Sequence, residues 1–279
     1  MGKNFEKPPR AKLRRRLTVL VILAILLILF SIFAPALAPN DPTKTDALYM
    51  NKGPCQKYPL GADRYGRCVL SRTMMGARTS IFSALTLVAA TFLVGTFLGM
   101  LAGYCGGMVD TLIMRLADIL LSFPQMVLAI AVAGILGGGM GNAMLAMGIS
   151  GWTLYARLSR AQTLSLKNEA YVSAARLCGC GHCTILLKYL LPNMLGPMVV
   201  NAATQIGTMM MGIAGLSFLG FGVMEPQAEW GSMISQGRAY LQLNPWPVLV
   251  PAAATVCTVM LFNYLGDCVR DYFDVEAAA

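Results

Sequence analysis

Long apolar runs separated by short polar or basic segments divide this chain. The first, LTVLVILAILLILFSIFAPAL, spans Leu17 to Leu37 and follows a basic stretch from Arg10 to Arg16. Others cover Ile81–Tyr104, Leu112–Leu136 with Pro124 as a kink, Asn142–Leu158, Met194–Ala214 and Trp246–Gly266. Each approaches the roughly 20 apolar residues a helix needs to cross the hydrocarbon layer. The pattern predicts an all-α, multi-pass transmembrane helical bundle of about six spans. The stretch from Gly215 to Pro245 is too glycine-rich and polar for a span, and dips at most partway into the membrane. The chain thus divides into a basic N-terminal segment (1–16), a first helix (17–37), a loop (38–78), a helical core (79–266) enclosing a loop at 160–193, and a tail (267–279).

Composition agrees: 56% of residues are hydrophobic and 13% charged, against roughly a quarter charged in soluble domains. So few charges could not cover the surface of a soluble chain, and much of it faces lipid. The first run also resembles a signal peptide ending at Ala36-Leu37-Ala38. It exceeds the roughly 7–15 residues of a signal core, and Pro39 would follow the cut, so retention as an anchor is expected. Lysine and arginine bias sets the orientation. The N-terminal segment is basic, and so is the loop between the fourth and fifth runs, which carries Arg160, Lys167, Arg176 and Lys188 with Glu169 as its only acid. An even number of crossings separates the two, so both termini and this loop are expected on the cytoplasmic side, and 38–78 outside. The outer loop breaks the bias with seven basic residues, which the rule tolerates in longer loops.

Enzyme chemistry is missing. No Gly-x-x-x-x-Gly-Lys-Ser/Thr cradle occurs for a nucleotide, and acids are sparse, without an intramembrane pair at helical spacing. His182 is the single histidine, which excludes a multi-histidine metal site. It lies in LCGCGHC, Leu177–Cys183. Cys178, Cys180, His182 and Cys183 match the four ligands of a closed zinc site in number, but ligands so bunched rarely surround one ion. No cofactor and no metal are assigned, and nothing suggests a nucleic-acid partner.

Read more widely, Asn168 can cap a helix with Glu169 in its first turn. Ala170, Ala174, Ala175 and Leu177 continue it as good helix formers with small side chains on one side, Gly179 and Gly181 break it, and a second helix from His182 ends at Leu191 where Pro192 opens the next span. The result is a helix–turn–helix whose small-residue face can lie close to another protein.

The series Ala174-Ala175-Arg176-Leu177-Cys178-Gly179 through Leu191-Pro192 resembles the coupling loop of bacterial ABC importer permeases. LGADRYGRCVLSRTMMGARTS (60–80), LSFLGFGVMEPQAEWGSMI (216–234) and FNYLGDCVRDYFD (262–274) are similar to the dipeptide/oligopeptide/nickel branch, so the resemblance covers nearly the whole chain. Departures are local: Ser173 stands where the family usually has Glu, Ala62 for Thr, Cys68 for Asp, and Tyr189 for His. The resemblance implies a second homologous permease subunit, two ATP-binding cassette ATPase subunits that hydrolyse the ATP, and an extracytoplasmic substrate-binding protein, in the bacterial inner membrane. It also implies that the loop from Glu169 to Pro192 docks on the ATPases. Short peptides, or nickel as a chelate, are the expected cargo; the Gly-x-Gly-His turn and the Met209–Met211 run look slightly closer to nickel permeases. A stand-alone secondary transporter and a membrane-embedded enzyme are the rival classes.

Three other patterns stand out. Gly95, Gly99 and Gly103 recur every four residues, where small side chains let helix backbones approach. Arg115 and Asp118 are three apart on one face, expected to neutralise each other inside a span. Asn201, Gln205 and Thr208 share a face of the fifth run, facing either a translocation path or a neighbouring helix.

Overall fold

The computed structural model describes residues 10–277; residues 1–9 of the basic segment and the last two of the tail lie outside them. Among the described residues there is no strand beyond one isolated bridge between Ala62 and Cys68. The helices are α1 (Arg10–Leu37), α2 (Val69–Cys105), α3 (Gly107–Leu121), α4 (Gln125–Leu136), α5 (Met140–Leu166), α6 (Ala170–Leu177), α7 (His182–Phe218), α8 (Trp230–Gly237) and α9 (Trp246–Ala277). Without water in the bilayer, backbone polar groups must pair within their own segment, and helices satisfy this.

α1, α2, α7 and α9 are each long and apolar enough to cross a membrane, and α3 with α4 makes a fifth crossing if the bent pair counts as one. α5, interrupted by Asn142, Arg157 and Arg160, does not meet the same measure, so the expected six spans become four or five by length and composition. The single kinked span expected over 112–136 is two helices meeting at 88°. Proline lacks an N–H and pushes the preceding residue out of helical geometry, so Pro124 ends one helix and starts another. α2 runs to 37 residues, about 55 Å at 1.5 Å per residue, and its first turns extend beyond the hydrocarbon.

The most extensive helix contact is between α2 and α5, followed by α7 with α9. A core of Ile81, Leu87, Met147, Met209, Ile213 and Leu216 joins α2, α5 and α7. One end of the bundle, the loop end, brings 38–68 against 219–245. There the Asn244 amide donates to the carbonyls of Lys52 and Ala62 at 3.0 and 2.9 Å. Arg72 donates to the carbonyls of Pro42 and Pro226, both at 3.1 Å. Of the polar stretch expected over 215–245, 215–218 still belong to α7; 219–245 packs as loop and short helix on the start of α2, with Trp230 Nε1 donating to Thr73 O at 2.8 Å.

Candidate functional site

The opposite end carries a hairpin. α5 runs out at Leu166, and Lys167 Nζ donates to Gly103 O at 2.9 Å, satisfying a carbonyl at the end of α2. The residue at the N-cap of α6 is Glu169, one later than the expected Asn168, and its side chain makes no capping bond. α6 buries Val172 and Ala175; Val172 packs in a cluster with Ile185, Leu186, Leu190 and Met194 of α7, Tyr155 of α5 and Met100 of α2. Ser173, Ala174 and Leu177 stay on the outer face, Leu177 at 89% exposure. The expected small-residue face is thus split, with Ala175 turned inward.

The turn closes as a Schellman motif. Gly179 N–H donates to Arg176 O and Cys180 N–H to Ala175 O, both at 3.0 Å, with Gly179 at φ +78°. This satisfies carbonyls the helix end would otherwise leave open. Gly181 differs from expectation: at φ −67° it uses no glycine-only conformation. α7 then passes Pro192 without a break, correcting the expected end at Leu191. A π turn over Ile185–Leu190 widens the helix there, which relieves the clash of the proline ring with the preceding turn.

His182 Nδ1 lies 2.7 Å from the Tyr104 hydroxyl, and Arg176 stands over the Tyr104 ring at 5.8 Å. All eight cysteines carry free thiols, and among the described residues no three His, Cys, Asp or Glu side chains cluster as metal ligands do.

Within the bundle, Gly95, Gly99 and Gly103 line α2 against α5. A Cβ on Gly99 would stand 2.1 Å from Ala156 O, and one on Gly95 2.3 Å from Trp152 O. The expected pairing of Arg115 with Asp118 is corrected: Asp118 accepts from Arg157 of α5 at 2.5 Å, both side chains half exposed. Helical spacing puts Arg115 on the right face, but the crossing of α3 on α5 delivers a guanidinium closer. Arg160 likewise pairs with Asp110. Sequence reading missed both, since nothing local links residues roughly 40 or 50 apart. On α7, Asn201 Nδ2 donates to Pro197 O of its own helix at 3.1 Å; Asn201 and Gln205 are half-buried and Thr208 exposed. Met209 and Met210 are in the core while Met211 is exposed. Also unforeseen was the contact of α7 with α9, where a Cβ on Gly207 would meet Asn263 Oδ1 at 2.2 Å; the small residues Gly207 and Gly266 inside apolar runs were the available signal.

An all-α bundle of membrane-length helices with an exposed hairpin at one end is the fold of an ABC importer permease. It matches a solved structure titled inward-facing conformations of the MetNI methionine ABC transporter, with TM-score 0.51 and 20% identity, over 69% of this chain and 94% of that one. An amino acid ABC transporter structure matches with TM-score 0.50 and 15% identity, over 70% and 91%. The chain belongs to the family described as binding-protein-dependent transport system inner membrane component, whose model matches residues 95–276. Residues 13–54 also match the N-terminal transmembrane domain of oligopeptide transport permease C. It is 38% identical over 247 residues to the dipeptide transport system permease protein DppC of Alkalihalophilus pseudofirmus, covering 88% of this chain and 81% of that one. It is 39% identical to the glutathione transport system permease protein GsiD of Pectobacterium atrosepticum (98% and 92% covered). It is 35% identical to the nickel transport system permease protein NikC of Escherichia coli K12 (97% and 96%). The chain is therefore a multi-pass permease subunit of an ABC importer in the inner membrane, working with a substrate-binding protein and with separate subunits that hydrolyse ATP. The rival secondary-transporter and membrane-enzyme readings fall with that membership.

Proposed function

We propose that this subunit forms half of a pathway for short peptides, opened alternately to each side as two ATPase subunits grip the hairpin from Glu169 to Pro192. A second homologous permease completes the pathway, and an extracytoplasmic binding protein delivers cargo to the loop end. Both termini and the hairpin face the cytoplasm in this reading. The observation that carries it is the build of α6: Val172 anchors it in the same apolar cluster as α5 and α7 and Ala175 is also buried, while Ser173, Ala174 and Leu177 stay exposed. A push on the outer face is transmitted to two spanning helices through close-packed side chains, which are stiff rather than fluid.

Peptide cargo is favoured because the polar face of α7, Asn201, Gln205 and Thr208, offers neutral amides and a hydroxyl suited to peptide groups, while the soft sulfurs of Met209 and Met210 are buried in the core. Similarity to NikC over nearly the whole chain supports nickel, carried as a chelate, as a second reading. A photo-crosslinking amino acid at Leu177 should capture an ATPase subunit in native membranes. Capture of none in assembled complex, or labelling of position 177 by a membrane-impermeant reagent from outside the cell, would overturn the proposal. Binding of dipeptides against nickel chelates to the companion extracytoplasmic protein decides the cargo.

A further inference from the structure

Beside α1, the first half of α2 lines a groove of about 760 Å³, bordered by Ile32 of α1, Arg78, Thr79, Phe82 and Ser83 of α2, and Gln227. The acids of the loop end are already engaged. Asp46 pairs with Lys57 at 2.7 Å, Asp63 with Arg67 at 2.7 Å and Glu225 with Arg64 at 2.8 Å. Glu229 accepts from Gly231 N, Ser232 N and Ser80 Oγ, and Asp41 from Thr43. Arg72 is directed to Asp63 and to backbone carbonyls. Arg78 is exposed, and no carboxylate among the described residues lies within 4.0 Å of it. Whereas Thr73 turns its hydroxyl back to the Val69 carbonyl, Thr79 and Ser83 line the groove beside this cation.

Arg78 precedes the apolar run at Ile81 by three residues, about 4.5 Å along the helix axis, which is where hydrocarbon gives way to headgroups. Ile32 of α1 borders the groove, and α1 also exposes Ile25, Leu26, Leu29 and Phe33, apolar surface suited to acyl chains. We propose that this groove seats the phosphate of an anionic phospholipid, with the Arg78 guanidinium fork on two phosphate oxygens and Thr79 and Ser83 as hydroxyl donors. Arginine binds planar oxyanion edges through two parallel N–H bonds. The site is independent of what the importer carries. A free phosphate or a solute carboxylate shares the oxyanion chemistry, so the test separates them.

The assembled importer, purified with its partner subunits, is titrated with phosphatidylglycerol and its retained lipid read by native mass spectrometry, with inorganic phosphate and a dipeptide or its C-terminal amide as competitors. Arg78→Gln should weaken lipid retention about tenfold, the scale of losing a charged hydrogen-bond partner, Arg78→Lys should lose less, and Thr79→Val should weaken it a few-fold. Thr79→Val keeps the side-chain shape and decides the case if Arg78→Gln fails to assemble. Equal retention by all variants overturns the proposal. So does displacement by the dipeptide but not its amide, which would make this a solute carboxylate site, or displacement by inorganic phosphate at concentrations equal to the lipid.

Discussion

The Tyr104 hydroxyl lies 2.7 Å from Nδ1 of His182, joining the last turn of α2 to the start of α7 across the hairpin. The residue before it, Gly103, takes a hydrogen bond from Lys167, where α5 ends just ahead of the hairpin. The end of α2 thus touches both arms of the hairpin, through His182 of α7 and Arg176 of α6, and α2 is itself packed along α5 through Gly95 and Gly99. Movement of α6 is therefore felt at the end of α2, which at 37 residues is as long as α7.

Tyr104→Phe removes one of these ties and leaves the ring beneath Arg176. A hydrogen bond of this kind contributes about 1 kcal/mol, so solute moved per ATP hydrolysed should fall a few-fold in proteoliposomes while basal hydrolysis persists. An unchanged ratio would show that the link is dispensable for coupling.

Gly179 and Gly181 should part ways. Nothing lies within 4 Å of a Cβ at either position, so crowding is irrelevant and backbone conformation decides. Gly179→Val forces a β-branched residue into φ +78°, at a cost of about 1–2 kcal/mol or more, which should distort the Schellman turn and uncouple ATP use from transport in a complex that still inserts. Gly181→Ala, at φ −67°, should transport normally. Equal behaviour of the two variants would contradict this account of the turn.

The glycine face of α2 is tested by stability rather than transport. Gly99→Ala places a methyl 2.1 Å from Ala156 O, backbone that cannot step aside, and overpacking of this kind costs about 1–3 kcal/mol. The melting temperature of the purified subunit in detergent should drop by several degrees. Gly134→Ala in α4, which meets nothing within 4 Å, should be neutral or slightly stabilising because alanine is the better helix former. A loss of stability at Gly134 matching that at Gly99 would remove packing as the cause.

How much of this was legible in the chain follows from the range of the forces involved. Apolar runs mark helices because lipid offers the backbone no alternative partner, so the all-α bundle could be read directly. Proline at 124 marked a kink, yet the full break and its 88° angle depend on what α3 and α4 pack against. The hairpin could be located from its glycines, while the division of labour between Gly179 and Gly181 needed backbone angles. Asp118 drew the nearer Arg115 in sequence, but Arg157 arrives from another helix. The fold of 219–245 was illegible because Arg72 and Asn244 hold it through long-range bonds to carbonyls.

Asp118→Asn should therefore leave Arg157, not Arg115, without its partner. Both side chains are about half exposed, and exposed ion pairs contribute roughly 0–1 kcal/mol. A double-mutant cycle on thermal stability should give a measurable coupling of Asp118 with Arg157→Gln and none with Arg115→Gln. Coupling to Arg115 alone would restore the intrahelical pair.

The last expectation concerns pH at the loop end. Burial pushes Glu225 up, but the hydrogen bond from Arg64 and the charges of Arg67 and Arg64 outweigh it, and its carboxyl sits below the ordinary glutamate value of 4.5. A carboxylate with a depressed folded pKa stabilises the folded state above its unfolded value, and loses that contribution as pH falls through the folded one. The Glu225 side chain is 36% exposed, so the effect is small and screened by solvent. The melting temperature of wild type should exceed that of Glu225→Gln by a constant margin from pH 7.5 to about 5, and the margin should begin to shrink as pH falls below about 4.5. A margin that grows as pH falls would contradict the lowered carboxyl.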